Sequence, residues 1–152
     1  MSWQTYVDTN LVGTGSVTKA AIVGHDGGSW AASAGFAVGA DEAKSLVAAF
    51  SVRFPSVPFE FSSLSELILR LLLLWLQSPD AVRANGLNLA GVKYLCIKAD
   101  DRSVYAKKNA TGVCCVKTSK AVLIALYDEK VQPGQCANVV EKLADYLIAQ
   151  GY

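Results

Sequence analysis

The sequence predicts an α+β fold, an antiparallel sheet with terminal helices packed against it. Three observations predict it. Residues 92–127 read as a meander of four strand patterns whose short links permit only antiparallel neighbours. The run Ala121-Val122-Leu123-Ile124-Ala125-Leu126 is apolar at both parities, as a strand covered on both faces must be. Each end of the chain carries a helical pattern.

Taken in order, Ser2 can cap a helix running to about Asn10, with Trp3 and Tyr6 on one face at i, i+3. Gly13-Thr14-Gly15-Ser16 breaks it. Ala20–Gly24 and Trp30–Ser33 read as short strands joined by His25-Asp26-Gly27-Gly28, a hairpin turn. Asp41–Phe50 reads as a helix with Leu46, Val47 and Phe50 on its apolar side and Asp41-Glu42 at its positive end. In the meander, Val92–Ala99 and Ser103–Lys107 are separated by Asp100-Asp101. Val113–Thr118 follows a turn at Asn109–Gly112, and Ala121–Tyr127 comes after Ser119-Lys120. Pro133-Gly134 starts the last helix, where Cys136, Val140, Leu143, Ala144 and Leu147 make a buried stripe and Gly151 suits the C-cap.

Composition narrows the function. At 152 residues the chain fits one domain with a real core. Fourteen basic and thirteen acidic residues leave it near neutral, which argues against nucleic acid or a membrane surface bound by bulk charge. The N-terminus shows no positive n-region followed by an apolar h-region, so no secretory signal is expected. Cys96, Cys114, Cys115 and Cys136 lack CxxC spacing and a histidine cluster, and read as small buried thiols of a cytosolic protein with no metal. Cys114 and Cys115, adjacent in a strand, point to opposite faces. The single histidine, His25, falls in a Gly-rich turn where exposure is expected. No Ser/His/Asp or Cys/His set can be built around it, and Gly13-Thr14-Gly15 lacks the lysine and spacing of a P-loop. No enzyme is predicted, and no cofactor.

Both end helices hold aromatic residues that their apolar stripes do not need, and such residues are candidates for a binding surface. The strings Trp30-Ala31-Ala32-Ser33 and Ala144-Asp145-Tyr146-Leu147, with the opening Ser2-Trp3-Gln4-Thr5-Tyr6, closely resemble profilin of the fungal type, over residues 1–51 and 78–152. The resemblance implies a profilin-like sheet with the N- and C-terminal helices on one face and the shorter helix on the other. It implies a polyproline groove formed by Trp3, Tyr6, Trp30, Tyr146, Leu147 and Tyr152. Flat rings with indole N–H and phenol O–H donors suit a polyproline II ligand, whose carbonyls are unpaired and whose preformed helix loses little entropy on docking. It also implies binding of monomeric actin through the basic meander and the start of the last helix, with Lys93, Lys98, Lys107, Gly134 and Glu141 as the expected contacts. Phosphoinositide headgroups would compete for Lys93, Lys98, Arg102, Lys107 and Lys108. A solvated sheet edge guarded by lysines would also account for these residues and Lys117. The implied partners are monomeric actin, proline-rich proteins such as formins, and phosphoinositide lipids at the surface of the cell cortex. The protein would be cytoplasmic and cytoskeletal. The nucleotide whose exchange it promotes would belong to actin. The alternative is a small sensory or ligand-binding α+β domain.

Val52–Gln77 has a different character from its flanks. It contains Phe54-Pro55-Ser56-Val57-Pro58-Phe59 and an apolar run over 67–76 interrupted by Arg70, too short to cross a bilayer. Leucines all round the pattern make it a poor interfacial helix. Removing it joins Phe50-Ser51 to Ser78-Pro79-Asp80, an ordinary junction for the family it resembles. The expectation is a single domain over 1–152 interrupted at 52–77 by a translated intron. Val-Arg is encodable as GTA-CGT, like a splice donor, and Leu-Gln as CTG-CAG, like an acceptor. The rival readings are a lineage-specific loop or, in the sensory alternative, a lid or dimer face.

Overall fold

The computed structural model describes residues 2–50 and 86–152, so the expectation for 52–77 lies outside the described residues. Seven strands form one antiparallel sheet in the order β2-β1-β7-β6-β5-β4-β3. They are β1 (Lys19–Gly24), β2 (Ser29–Ala32), β3 (Leu87–Leu89), β4 (Val92–Ala99), β5 (Ser103–Lys108), β6 (Thr111–Lys117) and β7 (Ala121–Tyr127). The four meander strands stand where the sequence puts them, within a residue or two. β3 was not anticipated, because three residues after Asn85-Gly86 carry too little pattern to separate from a loop.

The apolar run of β7 divides as its two parities require. Leu123 and Ala125 join Ile22, Cys114 and Val116 on one face, beneath Val7, Leu11 and the last helix. Val122 and Ile124 join Ala21, Val23, Val113 and Cys115 on the other, against the short helix α2 (Ala40–Phe50) and β3. Cys114 and Cys115 therefore face opposite cores, and burial pushes both thiols well above their ordinary range. Burial likewise pushes the Cys136 thiol up to about 12, so it stays protonated and acts as a small apolar filler.

The last helix, α3 (Pro133–Ala149), starts with Pro133 in its first turn and buries Cys136, Val140, Leu143, Ala144 and Leu147, the expected stripe. It ends as predicted at Gly151, whose φ of 85° lets the chain reverse. The Gly151 and Tyr152 N–H groups then donate to the carbonyls of Ile148 and Leu147. On the opposite face, the Glu42 carboxylate accepts from the N–H groups of Gly39, Ala90 and Gly91. Burial alone would raise its pKa, but the three donors outweigh that and hold it below the ordinary range. One carboxylate thus joins the start of α2 to the β3–β4 turn.

The N-terminal helix departs from a regular α-helix. Ser2 caps it by accepting from the Thr5 N–H, as expected. α1 (Trp3–Thr5) then widens into a π-helical turn over Tyr6–Leu11 and tightens into a 3-10 turn over Val12–Thr14. Wide turns of this kind recur at functional sites. Val7 and Leu11 anchor this one in the core below the last helix. His25 is only half exposed, because its Nε2–H donates to the Ala121 carbonyl at 3.3 Å across the β1–β7 pair. The prediction of an exposed turn residue missed this tertiary contact.

Candidate functional site

The two end helices lie side by side on one face of the sheet, and their surplus aromatics form a row. Trp30 and Trp3 have ring centroids 4.8 Å apart, Trp3 and Tyr6 5.8 Å, and Tyr6 and Tyr146 6.2 Å. Tyr152 stands edge-on to Trp3 at 5.1 Å. Trp30, Tyr146 and Tyr152 are exposed and Trp3 and Tyr6 half-buried, so the row is an accessible strip with its base in the core. Among the described residues neither indole N–H is engaged in a hydrogen bond, which leaves two donors for a ligand. A hydrogen bond with Tyr146 is the largest influence raising the Tyr6 phenol pKa, followed by burial and the neighbouring phenols. The Tyr6 ring stays neutral at ordinary pH.

Each ring is positioned by local chemistry. Gln4 ties the helix down, its amide donating to Asp8 Oδ1 at 2.9 Å and to the Ala32 carbonyl on β2 at 3.1 Å. Strict alternation along β2 would place Trp30 on the face opposite Ala31, which is buried beneath the end helices. A bulge prevents this. Ile22 pairs with Ala31 and Val23 with Ser29, leaving Trp30 as the extra residue, free to turn its indole toward Trp3. Gly24 completes the arrangement, since a Cβ there would overlap the Asp26 carboxylate and lie 2.8 Å from Trp30 Nε1. At the other end, the Ser119 N–H donates to the main-chain oxygen of Tyr152, and Lys120 Nζ lies 5.0 Å from the Tyr152 ring centroid.

Leu147 requires a correction. Its side chain is 1 % exposed and packed in the core under the row, so it supports the rings and does not line the groove. Its place in the buried stripe of the last helix already carried that signal.

The basic meander is split by the pleat. Lys107 pairs with Leu95 and Lys98 with Tyr105, and Tyr105 packs toward α3, so Lys98 and Lys107 lie on the α3 face. Lys93, two residues from Leu95, shares it. Lys108 follows the parity of Val104 and Ala106, and Lys117 pairs with Val122, which sends both to the α2 face. Contrary to the sequence expectation, Lys108 is therefore not part of one cluster with Lys93, Lys98 and Lys107, because neighbours on a strand face opposite ways.

Arg102 is also more committed than its charge implies. Its guanidinium lies 2.9 Å from Glu141 and 2.5 Å from Asp145. Glu141 in turn accepts from Ser103 Oγ at 2.6 Å and Tyr105 Oη at 2.9 Å. Glu141 thus clamps α3 to β5. Lys98 lies 3.6 Å from Asp100, an exposed pair worth little. Gly134 is exposed in the first turn of α3.

Two residues on this side escaped the sequence reading. Leu95 and Ile97 are 68 % and 63 % exposed, large apolar groups flanked by Lys93, Lys98 and Lys107. Their signal was their parity, because both alternate with Tyr94 and Cys96, which pack against α2. A bulge between Cys96 and Lys98 then leaves Ile97 and Lys98 both exposed. Among the described residues there is no group of His, Cys, Asp or Glu that could hold a metal, and no helix long and apolar enough to cross a membrane.

Comparison with known proteins agrees with this geometry. The chain is 55 % identical to Profilin-2 of Acanthamoeba castellanii over 152 residues, covering all of both chains. The crystal structure of Acanthamoeba castellanii profilin II superposes with a TM-score of 0.81 at 54 % identity, covering 99 % of this chain and 100 % of that one. A Schizosaccharomyces pombe profilin structure superposes with a TM-score of 0.80 at 38 % identity, with the same coverage. The family model described as Profilin matches residues 1–152, and the chain belongs to the profilin family.

Proposed function

We infer that this chain binds monomeric actin and proline-rich segments on two separate surfaces and so regulates actin polymerisation, without being an enzyme. The observation that carries the reading is the aromatic row between the end helices, with two indole N–H groups unengaged among the described residues. Among more distant members of the fold, mouse profilin IIa is seen with a double repeat from the FH1 domain of mDia1, and LokiProfilin2 with rabbit actin. At 20 % and 15 % identity these share the fold alone. The polyproline contacts are Trp3, Tyr6, Trp30, Tyr146 and Tyr152, resting on Leu147. The actin contacts are Lys93, Lys98, Lys107, Gly134 and Glu141, to which the exposed Leu95 and Ile97 are added. Phosphoinositide headgroups compete for Lys93, Lys98 and Lys107, and the protein works in the cytoplasm and at the cell cortex. The sensory-domain alternative is not favoured, since the family match spans residues 1–152.

The test has two arms. The protein should be retained on immobilised polyproline and should bind monomeric actin. Lys107→Glu reverses an exposed charge beside Leu95 and should weaken actin binding at least about tenfold, because like charges across an interface are strongly unfavourable. Retention on polyproline should not change. Unaltered actin binding by this variant would reduce the lysines to guards of a sheet edge.

The domain reading is part of the proposal. Residues 1–51 and 78–152 form one domain, and 52–77 is an addition to it, encoded by an intron that the mature transcript lacks. Its support is the contrast in composition and the ordinary junction left when it is removed. Sequencing cDNA across the codons of Ser51 and Ser78 decides it, and peptides from 52–77 in the native protein would refute the intron. Placement in a fungal-type branch rests on the resemblance of the sequence strings alone.

A further inference from the structure

Beyond Tyr146 the aromatic row opens into a cavity of about 510 Å³ between the two end helices. Tyr6 and Tyr146 form its near wall, Val139 and Leu143 an apolar flank, and Asn10 and Lys142 a polar rim. Lys142 makes no ion pair among the described residues. The carboxylates near it in sequence, Glu141 and Asp145, are held by Arg102, and Asp8 on the facing helix is held by Gln4. Among the described residues the cavity therefore presents one uncompensated positive charge beside an apolar wall.

Its distance from the row defines what would reach it. The ring-to-ring steps of 4.8, 5.8 and 6.2 Å are together shorter than six residues of polyproline II at roughly 3.1 Å each. Six prolines cover the row, and the next two residues of the ligand fall over the cavity. We propose that this cavity is a second subsite of the groove, taking the two residues that flank a proline run, and that Lys142 selects an acidic side chain there. The proposal rests on the proline-rich reading of the row. It adds a preference the rings cannot supply, because a ring face accepts any proline, whereas a cation beside an apolar wall favours an apolar residue followed by a carboxylate.

Tryptophan fluorescence titrations of the full chain test it with five peptides. They are decaproline, six prolines followed by Leu-Asp, Asp-Leu followed by six prolines, and the two twins with Lys in place of Asp. Both orders are needed because a polyproline helix can dock in either direction. One of the acidic peptides should bind about fivefold tighter than its lysine twin at low salt, the scale of a single partly exposed ion pair. That advantage should vanish in Lys142→Ala and reverse in Lys142→Glu, while decaproline binds both variants like the wild type. Equal binding of the acidic and lysine twins would overturn the proposal. So would an advantage that survives Lys142→Ala, or that disappears in Lys120→Ala at the opposite end of the row. Failure of decaproline itself to bind would instead overturn the groove.

Discussion

Trp3→Ala should weaken binding of a proline-rich peptide by about 2 kcal/mol, or roughly thirtyfold in Kd, and leave actin binding intact. Trp3 is the centre of the row, within 4.8–5.8 Å of Trp30, Tyr6 and Tyr152 by ring centroid. Its removal takes away one ring face and one indole donor together, and leaves Trp30 without the neighbour it packs on. Trp3 is half-buried and lies over the core without belonging to its interior, so the loss of affinity should exceed the loss of stability. Titration followed by tryptophan fluorescence, with a thermal melt of the same sample, separates the two. Wild-type affinity in the variant would remove the groove from this face.

The aromatic surface was legible because Trp3, Tyr6 and Tyr146 exceed what an amphipathic helix needs for its buried stripe. The adjacency of the two ends was not, since it depends on long-range strand order: β1 pairs with β7, and this brings β2 and the first helix beside the last one. Trp30 shows the limit most clearly. Period-2 reasoning from the buried Ala31 sends its indole to the wrong face, and only the bulge opposite Ile22–Val23 corrects it. A bulge is a tertiary adjustment with no sequence period of its own. Leu147 and Lys108 lie next in sequence to Tyr146 and Lys107, yet helical and strand periodicity respectively separate them in space. The Arg102–Glu141–Tyr105 network was illegible for a different reason, because its members are as much as 39 residues apart and meet only after α3 docks on β5.

Gly112→Ala should be among the most damaging single-methyl changes in the sheet, lowering stability by about 2 kcal/mol through overpacking. In a domain of this length that corresponds to a fall of about 4–8 °C in Tm. Gly112 sits in β6 opposite Tyr127 on β7, and the Tyr127 side chain crosses over it. A Cβ at this position would overlap the Tyr127 hydroxyl and ring carbon Cζ, and lie 2.9 Å from Cε1. The ring cannot simply swing aside, because Tyr127 is 6 % exposed and packed in the core beneath α3. If the clash is the cause, the two sites must be coupled. Tyr127→Ala alone should be destabilising through the cavity it leaves, by about 3 kcal/mol. Adding Gly112→Ala to that background should then cost little, giving a double-mutant coupling close to the full single-site penalty. Gly112 also faces Lys107 on β5, so displacement of the ring disturbs the proposed actin surface and not the aromatic row. The variant should therefore lose actin affinity while keeping its affinity for a proline-rich peptide. Additive stabilities in the double variant would show that the ring is not held where the glycine admits it.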